Sequence, residues 1–178
     1  MRALLVMIFG LTLATPALAG GADDPVKAVM DIATGRWLES STGADYFDKP
    51  AIDRLYSKAF QADYHAAEKY PAYDEGSPFD YDVVTAGQDG CPLKDIKIDP
   101  AGEKAGMTTV NVSFRLWDCA ETAEEKARIS TLRFDVVSED GRSVIDDIHR
   151  NADGKWDSLR AEMHDIVKFG QENESKPQ

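Results

Sequence analysis

Apolar residues recur at helical spacing through the first third of the chain and at every second position beyond Pro92. Val26, Val29, Met30, Ala33 and Trp37 make one stripe of a first helix. Asp24-Pro25 opens it, since aspartate is a good N-cap and proline loses nothing in a first turn whose N–H groups have no helical partner. Ser40 to Gly43 ends it. Ile52, Leu55, Tyr56, Ala59 and Phe60 predict a second helix, running from near Asp48-Lys49-Pro50 to about Tyr70. From Pro71 to Pro92 the pattern is broken by prolines and glycines. A segment of that length is more than a connector, and such segments often carry function or local structure of their own.

The alternating half predicts strands over Leu93–Ile98, Met107–Trp117, Ile129–Ser138 and Ser143–His149. Asp99 to Gly106 and Glu139-Asp140-Gly141 read as hairpin turns. Glu121 to Arg128, without an apolar stripe, reads as a loop. A last helix starts between Asp153 and Ser158, with Trp156, Leu159, Met163, Ile166 and Val167 as its stripe and Lys168 and Gly170 at its close. Gln171 to Gln178 has no apolar residue and reads as a disordered tail. Successive hairpins make a mostly antiparallel sheet, so the expected class is α+β: N-terminal helices, a meander of about four strands and a C-terminal helix, one domain over 24–170.

The first nineteen residues stand apart. Met1-Arg2 is followed by an apolar run from Ala3 to Ala14, a proline, and Ala17-Leu18-Ala19. This is the layout of a secretory signal peptide cleaved after Ala19. The run is shorter than the about 20 residues a membrane span needs, so no integral membrane segment is expected after cleavage. The destination is the periplasm or the medium. The chain of 178 residues carries 20 Lys and Arg against 32 Asp and Glu, a net charge of −12. No basic run relieves it, which argues against nucleic acid as a partner. Two cysteines, Cys91 and Cys119, in an exported chain predict one disulfide. If the hairpin between the first two strands has its tip near residue 105, these cysteines fall opposite each other.

Candidate chemistry is sparse. Asp80, Asp82 and Asp89 could offer oxygens to a cation, but Val84 stands where an EF-hand loop needs its third ligand. Phe79, Tyr81 and Val83 alternate with Asp80 and Asp82, which reads instead as a half-exposed edge strand whose aspartates are solvated or cap turns. The loop His149 to Gly154 is ordinary turn chemistry. In Val144-Ile145-Asp146-Asp147-Ile148, strict alternation turns either Asp146 or Asp147 inward. It would serve there as an acid or base of raised pKa, or accept a hydrogen bond from a helix end or a tyrosine. All six tyrosines fall between 46 and 81; Tyr56, Tyr64 and Tyr81 would line an amphipathic cleft or simply pack helices on the sheet. No motif calls for a cofactor or a resident metal.

Ser77-Pro78-Phe79-Asp80, Gln88-Asp89 and Gly141-Arg142-Ser143-Val144-Ile145-Asp146-Asp147-Ile148 resemble a family of bacterial exported domains. Those domains are similar to the nuclear-transport-factor-two-like, cystatin-like superfold; Ser143 stands where the family pattern has tryptophan. The resemblance spans roughly 24–168. It implies a curved sheet wrapped around helices with a cone-shaped cavity, and no particular activity. The expectation is an exported, non-catalytic binding or interaction protein, its partner a protein or small ligand. One alternative is an isomerase- or dehydratase-like enzyme using Asp146 or Asp147 with a tyrosine in the cone. The other is a secreted factor acting on a host or competitor cell.

Overall fold

The computed structural model describes residues 20–38, 40, 41, 43–73, 76–152 and 154–175; the expected signal peptide, 1–19, lies outside the described residues. Along these the elements are α1 (Asp24–Arg36), α2 (Lys49–Leu55), α3 (Lys58–Ala67), β1 (Lys94–Lys104), β2 (Met107–Arg115), α4 (Ala123–Ala127), β3 (Ser130–Glu139), β4 (Arg142–Ala152), β5 (Lys155–Trp156) and α5 (Leu159–Glu174). The strands form one antiparallel sheet in the order β1-β2-β3-β4-β5. The class is α+β, as the pattern predicts, with β5 as a fifth strand.

One face of the sheet, Val110, Val112 and Phe114 of β2, Leu132, Phe134 and Val136 of β3, and Ile145 and Ile148 of β4, is buried. Against it lie Val26, Val29, Met30 and Ala33 of α1, Phe60 and Tyr64 of α3, and Leu159 and Met163 of α5. Four helices, α1, α2, α3 and α5, all touch β4. Each large apolar side chain taken out of water here contributes about 1.5–3 kcal/mol. Phe47, in the link between α1 and α2, is the centre of the aromatic part of the core: the rings of Tyr46, Tyr56, Phe60, Tyr64 and Phe79 lie 4.5 to 6.2 Å from its own.

Several elements differ from expectation, each for a local reason. The single helix expected from Asp48 to Tyr70 is two. Tyr56 and Ser57 are extended, the Ser57 N–H donates to the Ile145 carbonyl at 2.8 Å, and the Ser57 hydroxyl caps α3 by accepting from Phe60 N–H. Ala59, which an unbroken stripe would bury, is exposed. Glu121 to Arg128 is not all loop: Thr122 and Glu125 make a reciprocal capping box that starts α4. β1 continues through Pro100 to Lys104, with shifts in register after Lys94 and Pro100. An edge strand tolerates that proline, because only one of its sides needs ladder partners. Trp156 belongs to β5 and not to the last helix.

That helix also passes Gly170 and reaches Glu174, so part of the expected tail is helical. Gly170 is a packing residue, not a stop signal. A Cβ there would stand 2.2 Å from the Tyr70 ring, so only glycine lets the ring lie against the helix.

Cys91 and Cys119 are bonded, with Cα atoms 5.8 Å apart. The Cys91 N–H donates to the Leu116 carbonyl at 2.7 Å, extending the β1–β2 ladder up to the bridge. Chain-entropy arithmetic for a loop of this length gives about 3.5 kcal/mol of stabilisation. Reduction, or the double substitution Cys91→Ser/Cys119→Ser, should therefore lower Tm by roughly 10 °C in thermal unfolding.

Candidate functional site

The segment from Pro71 to Pro92 is a strap across one end of the sheet, and Asp82 holds it. Its Oδ1 accepts the N–H groups of Val84 and Thr85, closing a tight turn. Its Oδ2 accepts from Arg36 Nε, Trp37 Nε1 and the Tyr46 hydroxyl at 3.3, 3.2 and 2.8 Å. An aspartate that bonds the N–H groups two and three residues on competes with strand pairing. Phe79 to Val83 is accordingly a closed loop and not the edge strand that alternation suggested; its one bridge joins Asp82 to Gly87. Five donors occupy the Asp82 carboxylate, whose side chain is only 8% exposed. Asp80 and Asp89 are exposed. Among the described residues no group of three or more His, Cys, Asp or Glu side chains converges as a metal site requires. Gly90 seats the strap, since a Cβ there would collide with Leu116 and Trp37.

At the other candidate, Asp146-Asp147, strict alternation fails. Asp135 pairs with Asp147 and Val136 with Ile145, so Asp146 is the extra residue of a β-bulge. The bulge lets Ile145 and Ile148 both face the core while both aspartates stay half-buried outside it. Asp146 accepts from the Ser57 hydroxyl at 2.6 Å and from Arg160 Nη1 at 3.0 Å. Asp147 accepts from the Ser158 hydroxyl and from the Arg160 and Ile148 N–H groups, serving the start of α5. Arg160 also reaches Asp63 at 2.6 Å, and His164 approaches the same carboxylate. Burial alone would raise Asp63, but His164 and Arg160 hold it below the usual carboxylate range.

Two basic residues that the sequence placed in a turn loop, His149 and Arg150, belong to β4, which continues to Ala152. His149 donates Nε2–H to Asp135 and Nδ1–H to the Asp157 carbonyl when protonated, at 2.9 and 2.6 Å. The bond to Asp135 raises it to about 9 against the opposing effect of burial. Arg150 is 5% exposed. Its guanidinium meets Asp157, Glu162 and the Tyr81 hydroxyl. Burial opposes its charge, and those two carboxylates more than offset it, so its pKa is raised. The readable signal for Arg150 was parity: it shares the inward register of Ile148.

The tyrosines divide by role. Tyr56 stacks on Phe60 at 4.5 Å in the core, and burial raises its hydroxyl, which has no hydrogen-bond partner among the described residues. Tyr64 packs on Phe47. Tyr81 donates to Glu162 and joins the strap to α5. The Thr85 hydroxyl is likewise buried with no partner among the described residues, a state that costs about 1–3 kcal/mol. Beside the strap an open cleft of about 480 Å³ is lined by Trp37, Tyr73, Phe79 and Tyr81, with Arg36, Asp80 and Gln88 among its polar residues. Tyr73, 66% exposed, stands at its rim.

Asp82→Ala leaves Arg36 Nε, Trp37 Nε1, the Tyr46 hydroxyl and two backbone N–H groups without this acceptor, while Arg36 keeps Ala44 and Asp45, and should destabilise by about 3 kcal/mol in urea unfolding. For His149 the folded value, about 9, lies above the ordinary 6.5. Its stabilisation is complete below about pH 6.5 and is lost as pH rises through 9, worth about 1–2 kcal/mol after screening. His149→Gln should flatten that limb of the stability–pH curve. Compared with known proteins, the chain matches no protein-family model, no curated protein and no solved structure.

Proposed function

We propose that the protein is an exported, non-catalytic binding protein that docks a basic segment of a partner protein in the aromatic cleft beside the strap. One observation carries this. The carboxylates and the strap tyrosine that would do acid–base work, Asp146, Asp147 and Tyr81, are each engaged in bonds that hold elements together. The cleft, by contrast, presents the Tyr73 ring and the carboxylate of Asp80, which has no ion pair among the described residues, to solvent. Aromatic faces and a carboxylate suit a lysine or arginine side chain, which gains from both the ring quadrupole and the ion pair. The disulfide fits an oxidising compartment.

Helices followed by an antiparallel meander are the arrangement the nuclear-transport-factor-two-like resemblance implies, and Phe47 and its ring neighbours fill the space between helices and sheet. That filling speaks against the isomerase- or dehydratase-like alternative, which needs an enclosed pocket around Asp146 or Asp147.

The test is a photo-crosslinking amino acid at position 73 in the producing cells, followed by fractionation. A discrete protein adduct that Asp80→Lys abolishes is the expected result. Its presence in the periplasm or in the medium separates a resident protein from a factor acting on other cells. No adduct, or a turnover activity that Asp146→Asn or Asp147→Asn removes from a folded protein, would overturn the reading.

A further inference from the structure

β1 is the long free edge of the sheet. Every residue from Lys94 to Lys104 is exposed except Ile96 and Ile98, which lie half-buried against the core. The ladders show which way its main chain points. Arg150 gives its N–H to the Asp157 carboxylate, and its carbonyl accepts the Asp157 N–H, so in β4 it faces away from β3. Hydrogen-bonded and non-hydrogen-bonded pairs alternate along an antiparallel ladder. Leu132, opposite Arg150, therefore faces β2; Val112, opposite Leu132, faces β3; and Ile98, opposite Val112, faces the open edge. Pro100 agrees, because it has no N–H to give to β2 and shares its direction with Ile98. Among the described residues no loop and no side chain hydrogen-bonds to the main chain of residues 97–100.

This edge is complementary to itself. When two copies of one strand pair antiparallel, opposite residues share a face, so the two-fold axis passes where one residue meets its own copy. Centring on Lys97 or on Asp99 sets like charges opposite each other, which repels. Centring on Ile96 sets Lys97 against Asp95, which Arg115 already holds and which lies where the β1–β2 register shifts. Centring on Ile98 sets Lys97 of each copy against Asp99 of the other. Among the described residues neither side chain has a partner within its own chain. Ile98 would exchange N–H and carbonyl with its copy, so Lys97 and Asp99 fall at the flanking non-hydrogen-bonded positions, where side chains come closest. The two Ile98 side chains meet on the apolar face. The register shifts after Lys94 and Pro100 bound the stretch and keep longer strands from adding to it. Pairing uses up both β1 edges, and β5, at the far side, has only two residues, so the assembly closes.

We propose that the protein pairs with a second copy of itself, edge to edge through β1, in a two-fold dimer centred on Ile98. The contact is short, so the dimer is weak and depends on concentration. It shares no residue with the aromatic cleft, and the partner protein there plays no part in it.

Sedimentation of the purified oxidised protein from micromolar to millimolar concentration tests this. The expected result is a monomer–dimer equilibrium that added salt weakens. Lys97→Glu sets carboxylates opposite each other across the axis, and Asp99→Lys sets ammonium groups opposite each other. Each should weaken the dimer by about ten-fold or more. Both side chains are exposed, so Tm at high dilution should not change. The two single variants mixed in equal amounts should form a heterodimer, and the double exchange Lys97→Glu/Asp99→Lys should recover the original constant, because both restore opposite charges at both positions. Three outcomes overturn the proposal: a protein that stays monomeric at every concentration, a dimer that tolerates both single changes, or a double exchange that remains monomeric.

Discussion

A guanidinium 5% exposed cannot remain charged inside a protein without acceptors, and Arg150 at the end of β4 takes its acceptors from three separate segments. Asp157 precedes α5, Glu162 is in its first turn, and Tyr81 belongs to the strap. Leaving any of these places empty would strand a buried charge, which is far costlier than the pair is favourable. The strand end, the last helix and the strap are therefore placed together. Asp82 performs the matching task at the other side of the strap, with the sign reversed: one buried carboxylate gathers Arg36 and Trp37 at the end of α1 and Tyr46 beyond it. Apolar burial supplies most of the stability, but it is not directional. These two charges decide where the irregular segment lies.

β4 organises the other side of the molecule in a similar way. One extra residue at Asp146 breaks the alternation, and the consequences reach four elements. Ile145 and Ile148 both enter the core. The Ile145 carbonyl takes the Ser57 N–H and divides α2 from α3. Asp146 and Asp147 turn to the starts of α3 and α5, where negative charge is favoured by the helix dipole. Two adjacent carboxylates that resemble a catalytic pair thus serve as fasteners.

Much of the architecture was legible in the order of the residues. Period fixes which face of a helix or strand is apolar, so the stripe of α1, the alternation of β2 and β3 and the class of fold follow from local spacing. The disulfide followed as well, because hairpin symmetry about residue 105 sets Cys91 opposite Cys119, and the observed pairing of Ile98 with Val112 has the same centre. Thr122 and Glu125 carried a readable capping box, and the polar composition around them hid it.

What the tertiary structure alone decided has one physical character: competition for a hydrogen-bonding group between neighbours in sequence and partners far away. Ser57 gives its N–H to Ile145 and not to the preceding turn, so an apparently continuous helix is two. Gly170 reads as a stop until Tyr70 is found lying on it. Asp82 reads as an exposed edge residue until Arg36, Trp37 and Tyr46 arrive. Periodicity records only which side of an element is apolar. Which carboxylates are consumed in joining elements depends on contacts between segments tens of residues apart, and no local pattern contains them.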